Sequence, residues 1–169
     1  MIKIIILGID PGYDRVGYGI VEKNGNKFKE ITYGVISTSA KKKFIERVYQ
    51  IDKKLNELVK KYSPEYVGVE KLFFQKNKTT AMKVSEARGI IMLNVFKNNL
   101  EIFEFTPNQI KQAVTGYGKA DKKQIQFMIK NLLKLEKIPK PDDAADALGV
   151  ALCTGQHIGF NNCLKKAIR

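Results

Sequence analysis

Ile4-Ile5-Ile6-Leu7-Gly8-Ile9-Asp10-Pro11-Gly12 is an apolar run of strand length that ends in a carboxylate and a turn dipeptide. A charge at the end of a hydrophobic strand costs desolvation free energy unless it has a partner. The arrangement returns in Tyr66-Val67-Gly68-Val69-Glu70, and two more acids stand among small residues in Asp143-Ala144-Ala145-Asp146-Ala147-Leu148. Around these acids the chain carries 30 Lys and Arg against 17 Asp and Glu, a formal net charge of +13. An acidic pocket in a chain this basic implies that the acids' partner is a cation supplied from outside.

Outward from the first run, Val16 to Glu22 and Phe28 to Ser37 are rich in β-branched and aromatic residues, on either side of Lys23-Asn24-Gly25-Asn26. Asn-Gly between two such runs signals a hairpin, so three antiparallel strands open the domain. Phe44, Val48, Ile51, Leu55, Leu58 and Val59 then follow helical spacing. Tyr66 to Glu70 and Leu100 to Phe105 read as further strands. Between them, residues 80–97 have helical character, but Ile90, Ile91, Met92, Leu93, Val95 and Phe96 cover more than one face. Such a helix must be covered on two sides, and a second subunit is the expected second cover. Thr106-Pro107-Asn108-Gln109 and Asp121 with Gln124 are capping patterns, and a last helix begins near Pro141-Asp142. The order β-β-β-α-β-α-β-α-α-α predicts an α/β fold: a mixed sheet, three strands antiparallel and two parallel, with helices on both faces. A single domain over residues 1–157 and a short basic C-terminal tail over 158–169 are expected.

Composition narrows the function. The basic balance favours a polyanion, and nucleic acid is preferred to a membrane surface because no stretch approaches a spanning helix in length. Cys153 and Cys163 are too few for a disulfide framework, so a reducing, cytoplasmic setting is expected. With His157 they make three ligands where a structural zinc site takes four, and buried thiols with an exposed histidine are the better account. His157 is the sole histidine and no Gly-x-Ser-x-Gly occurs, so serine-triad hydrolysis has no support.

Asp143 and Asp146 are three apart, so a helix puts both carboxylates on one face, and the alanines beside them let that helix approach a sheet closely. Asp10 and Glu70 end strands that can lie side by side, where ligands of open α/β sheets gather. Taken alone, Asp10 could cap the Pro-Gly turn and Asp143 could serve the helix dipole; their joint placement is what points to a metal site. Carboxylate oxygens suit Mg²⁺. Two such ions about 3.5–4 Å apart can stabilise both oxygens exchanged in phosphodiester hydrolysis.

Gly8-Ile9-Asp10-Pro11-Gly12, Val69-Glu70-Lys71-Leu72-Phe73, Lys111-Gln112-Ala113-Val114-Thr115-Gly116 and Asp143-Ala144-Ala145-Asp146-Ala147 resemble the successive signatures of the RuvC family. The family comprises bacterial Holliday-junction resolvases of ribonuclease H-like fold, and the likeness runs from about residue 2 to 155. It implies four catalytic, metal-binding acids at Asp10, Glu70, Asp143 and Asp146. It also implies two Mg²⁺ per site, replaceable by Mn²⁺, a homodimer on four-way junction DNA, and partnership with the RuvA–RuvB branch-migration complex. Actin-like kinases share an Asp-x-Gly, but they need a second lobe to enclose ATP, for which 169 residues leave no room. The alternatives are a ribonuclease H-like nuclease acting on another DNA or RNA structure, and an architectural junction-binding protein with a decayed site. All four acids are present, which argues against the latter.

DNA contacts are expected from the loop Leu72-Phe73-Phe74-Gln75-Lys76-Asn77-Lys78 and from Lys111, Lys119 and Lys122. Two adjacent aromatics in a basic loop cannot both point inward. By resemblance Phe73 stacks on a base at the junction centre, and Phe74 is the candidate for ordinary core. Gly116-Tyr117-Gly118-Lys119 is read as a flexible turn offering backbone amides to a phosphate, and Arg15, after the Pro-Gly turn, as a residue within reach of DNA.

Overall fold

Residues of the first strand alternate between two neighbourhoods, and that alternation sets the layering of the molecule. The computed structural model describes residues 3–72 and 78–167. In it, β1 (Lys3–Asp10) turns Leu7 and Ile9 toward one apolar cluster and Ile6 toward the other. β2 (Arg15–Asn24) and β3 (Lys27–Ser37) follow as an antiparallel hairpin on β1. The turn between them places Gly25 at φ +59°, as a tight two-residue hairpin turn requires. β4 (Tyr66–Glu70) and β5 (Glu101–Phe105) add parallel strands, giving the order β3-β2-β1-β4-β5. β5 starts one residue later than its apolar pattern suggests.

Helices α1 (Phe44–Tyr62) and α2 (Lys78–Lys97) cover one face, packing Ile51, Leu55, Ala87, Ile91 and Val95 on Leu7, Ile9, Val67 and Val69. The other face carries α3 (Pro107–Thr115), α4 (Lys122–Leu132) and α5 (Asp142–Ala167). Both capping signals operate. Thr106 Oγ1 accepts the Gln109 N–H at 3.2 Å, Asp121 Oδ1 accepts the Gln124 N–H at 2.9 Å, and each glutamine side chain returns the bond. α5 begins where the Pro141-Asp142 signal puts it and continues as helix past residue 157 to Ala167.

α2 is apolar on two sides, as its sequence suggests, but only one is covered. Ile91 and Val95 are fully buried, whereas Met82, Leu93 and Phe96 are 66%, 46% and 73% exposed. Asn94, buried against α1, donates to Asp52 Oδ1 at 2.8 Å and helps fix which side of α2 faces inward.

α5 lies unusually close to the sheet. Register puts Gly19 opposite Gly8 and Gly8 opposite Gly68, a transverse row of three glycines. A Cβ at Gly8 would fall inside contact distance of Ala147 O and Ala151 N, and one at Gly68 would meet Thr154 Oγ1. Without those side chains, the backbone of α5 rests directly on the strands.

Candidate active site

One residue beyond the glycine row stand Asp10 and Glu70. Side chains alternate along a strand, so Gly8 and Asp10 share the α5 face, as do Gly68 and Glu70. Asp10 pairs with Gly17 of β2, and a Cβ at Gly17 would strike the carbonyl of Asp143. The start of α5 is therefore seated on β2 beside Asp10. Asp143 and Asp146, one turn apart on α5, complete a group drawn from three elements distant in sequence. The Pro11–Asp14 loop beside Asp10 is pinned from α1. Buried Arg47 stacks 3.6 Å from the centre of the Tyr13 ring, pairs with Asp14 Oδ1, and donates from Nε to Thr38 Oγ1 at 2.9 Å.

Asp10 lies within the fields of the other three acids. Burial raises Asp10 to about 8, and the charges of Glu70, Asp146 and Asp143 add to the rise. Burial raises Glu70 to about 7, reinforced by Asp146 and opposed by Lys111 and Lys122. Asp146 is raised by burial against the pull of Lys122. Neighbouring Asp142 behaves oppositely: hydrogen bonds from Gln126, Lys140 and Lys122 hold it down at about 2. That contrast separates an acid built into the helix start from acids left short of positive charge.

Two cations meet the group directly. Lys122 Nζ lies 3.4 Å from Asp146 and 3.2 Å from Asp142. Burial disfavours its charged form, but Asp146 and Asp142 outweigh burial and its pKa is raised. Arg15 Nε lies 3.6 Å from Asp143 Oδ2. A hollow of about 280 Å³ beside the acids is lined by Glu70, Asp146, Lys111, Lys122, Ile110 and Ile125, among others.

Among the described residues, no group of three or more His, Cys, Asp or Glu side chains is already gathered closely enough to hold a metal ion. The acids make an open cluster of hard oxygen donors, which suits an ion that keeps several of its own waters, as Mg²⁺ does. Two of them, raised to about 8 and 7 by burial and mutual repulsion, have the deficit of positive charge that a divalent ion would fill.

Of the residues expected to bind DNA, Lys111 and Lys122 are brought to the hollow, whereas Lys119 is exposed on the loop after α3 and does not line it. Phe73, Phe74 and Lys76 lie outside the described residues, as does the side chain of Lys78. The Gly116–Lys119 turn is less free than its glycines suggest. The Tyr117 N–H donates to Thr115 Oγ1 at 3.1 Å, the Gly116 N–H to Gln112 O at 2.8 Å, and Gln112 Nε2 donates to Gly116 O at 2.9 Å. Two of its amides are thus already used. His157 is exposed and sits edge-on to Phe103 and Phe105, while the buried Cys153 thiol is pushed up to about 12.

A five-stranded mixed sheet in this order, with helices on both faces and its acids where β1 and β4 end against the last helix, is a ribonuclease H-like fold. Residues 6–154 match the family model described as crossover junction endodeoxyribonuclease RuvC, and the chain belongs to that family. It is 57% identical over 164 residues to the enzyme of that name from Petrotoga mobilis, covering 97% of this chain and 99% of the relative. It is 54% identical over 162 residues to that of Alkaliphilus metalliredigens, covering 96% and 99%. The structure of T. thermophilus RuvC in complex with Holliday junction substrate is similar with a TM-score of 0.89 at 32% identity, covering 94% of this chain and 96% of that one.

Proposed function

We propose that this chain is a magnesium-dependent endonuclease that resolves four-way DNA junctions by paired symmetric nicks, in recombination and repair. The observation that supports this most is the meeting of Asp10, Glu70, Asp143 and Asp146 at one end of the sheet, with Lys111 and Lys122 alongside. These four acids would hold the ions, two per site, with Mn²⁺ as a substitute. Bound there, the ions would lower the pKa of an attacking water and offset charge on the leaving oxygen. The chain's own part is positional. Asp10 and Glu70 ride on adjacent strands whose register is fixed by backbone hydrogen bonds, so the donors stay where the sheet holds them. Lys111 and Lys122 attract and orient the phosphate, and Phe73 stacks at the junction centre. Cleavage on the 3′-oxygen side of the phosphate leaves 5′-phosphate ends.

Two cuts require two sites, and one chain carries one set of acids. Met82, Gly89, Leu93 and Phe96 are all exposed and lie on one stripe of α2, with open space around Gly89. A second copy of the chain is the partner this stripe fits, in a two-fold dimer that faces two opposite strands. Partnership with RuvA–RuvB and a cytoplasmic setting belong to the same proposal. Among the described residues no helix is long and apolar enough to cross a membrane.

The test is cleavage of a mobile four-way junction, a linear duplex and an RNA–DNA hybrid, each with Mg²⁺ or with EDTA. Symmetric paired nicks in the junction alone, and only with Mg²⁺, are expected. Preferential cutting of the hybrid would favour the other ribonuclease H-like reading, and binding without cleavage would favour an architectural protein. Sedimentation at micromolar concentration should show a dimer, and a monomer both free and on the junction would defeat the two-site model.

A further inference from the structure

Arg15, Gly17, Gly19 and Val21 are alternate residues of β2 and share the face on which α5 lies. Val21 belongs to the apolar cluster on that side, Gly19 sits under Leu148, and Gly17 sits under the Asp143 carbonyl. Two residues further back the strand passes the N-terminal end of α5, and the side chain there is Arg15. Its Nε is 3.6 Å from Asp143 Oδ2, and its side chain is 59% exposed. Lys111 and Lys122 line the hollow with Glu70 and Asp146, whereas Asp143 is not among the residues lining it. The acids are therefore bracketed by cations from two places, α3 and α4 on one side and β2 on the other.

Fold stability gives little reason for this placement. The positive end of the α5 dipole opposes a cation there, and an exposed pair at this separation contributes little. The site gives a better one. A guanidinium offers a planar fork of donors matched to two phosphate oxygens. A divalent ion also competes for Asp143 with twice the charge of an arginine.

We propose that Arg15 is a phosphate-binding residue of this nuclease, held by Asp143 in the metal-free protein and released to the DNA backbone when a divalent ion takes Asp143. The inference rests on the metal-dependent cleavage proposed above. It makes metal binding and backbone binding mutually reinforcing, because the ion frees the cation that then meets the phosphate.

The experiment is binding of a labelled four-way junction by the wild-type protein, Arg15→Gln and Arg15→Lys, across a salt series, once in EDTA and once in Ca²⁺. Calcium takes the same oxygen donors. In Ca²⁺, Arg15→Gln should bind roughly tenfold more weakly than wild type, with a salt slope smaller by about one. In EDTA the two should bind alike. Arg15→Lys, which keeps the charge but not the fork, should recover part of the loss. Without DNA, Mg²⁺ should raise the melting temperature of Arg15→Gln at lower concentrations than wild type needs, since a competing charge is gone. Equal weakening in EDTA and Ca²⁺, or none in either, would overturn the assignment of Arg15 while leaving the nuclease reading intact. A wild-type protein that fails to cut the junction in Mg²⁺ would overturn both.

Discussion

The two faces of β1 and β4 are made from the same strands and could hardly differ more. Toward α1 and α2 each presents large branched residues, Leu7 and Ile9 on one strand and Val67 and Val69 on the other, all fully buried. Toward α5 the intervening residues are Gly8 and Asp10, Gly68 and Glu70. The first face contributes stability by filling volume. The second gives up that filling so that a helix can bring Asp143 and Asp146 to the acids at the strand ends. A site made by close approach needs residues that add nothing to a core, and the opposite face of the same strands makes up the difference.

Substitutions on the two faces should therefore separate chemistry from stability. Asp10→Asn, Glu70→Gln, Asp143→Asn and Asp146→Asn should each cut junction cleavage about a thousandfold, roughly 4 kcal/mol in barrier, with junction binding retained. Single-turnover assays on a mobile junction check this, and near-normal turnover in any variant removes that residue from the site. Gly8→Ala should break both properties, lowering stability by about 3 kcal/mol or more, because its new methyl meets the α5 backbone, which cannot yield. Gly68→Ala meets mainly the Thr154 side chain, so a second change, Thr154→Ala, should restore most of its melting temperature and cleavage. If Thr154→Ala rescues Gly8→Ala equally well, the close-approach account is wrong.

On the opposite face, Leu7→Ala should lower stability by about 2–3 kcal/mol through the cavity it leaves, while the folded fraction still cuts at the wild-type rate. Denaturant titration beside a cleavage assay well below the melting temperature tests that separation. The last contrast is in pH dependence without metal. Asp10 and Glu70 titrate near 8 and 7 in the fold but near 3.8 and 4.5 as free groups, so between those values the folded protein holds protons the unfolded chain has lost. Stability in EDTA should then fall as pH rises from about 4 to 8. Asp10→Asn should flatten the fall, and Mg²⁺ should offset it. Melting curves at matched ionic strength read all three, and a rise in place of the fall would contradict the burial of these acids.

Much of this is legible in the sequence. The run ending at Asp10 and its echo at Glu70 announced strands with charged ends, because alternation and turn residues are local signals. Thr106 with Gln109, and Asp121 with Gln124, marked their helix starts for the same reason. The family likeness carried the four acids onto one site, which the fold then brought together. Less was legible where an apolar residue had two possible destinations. Ile91 and Phe96 look alike in the sequence of α2, yet one is core and the other surface, a choice made by which side of the helix meets α1 and the sheet. The turn around Tyr117 is more tied down than its glycines imply, because glycines report conformational freedom and say nothing of a threonine hydroxyl nearby.

By itself, then, the sequence determined the element order, the hairpin, the caps and the basic character, since each depends on residues within a few positions of one another. Only the tertiary structure decided that Gly19, Gly8 and Gly68 fall in one row, that Arg15 clears the end of α5 to reach Asp143, and that Lys122 rather than Lys119 meets the site. Those facts depend on the register between strands and on how deeply one helix sits upon them. Both come from packing across residues far apart in the chain, where no local pattern carries the information.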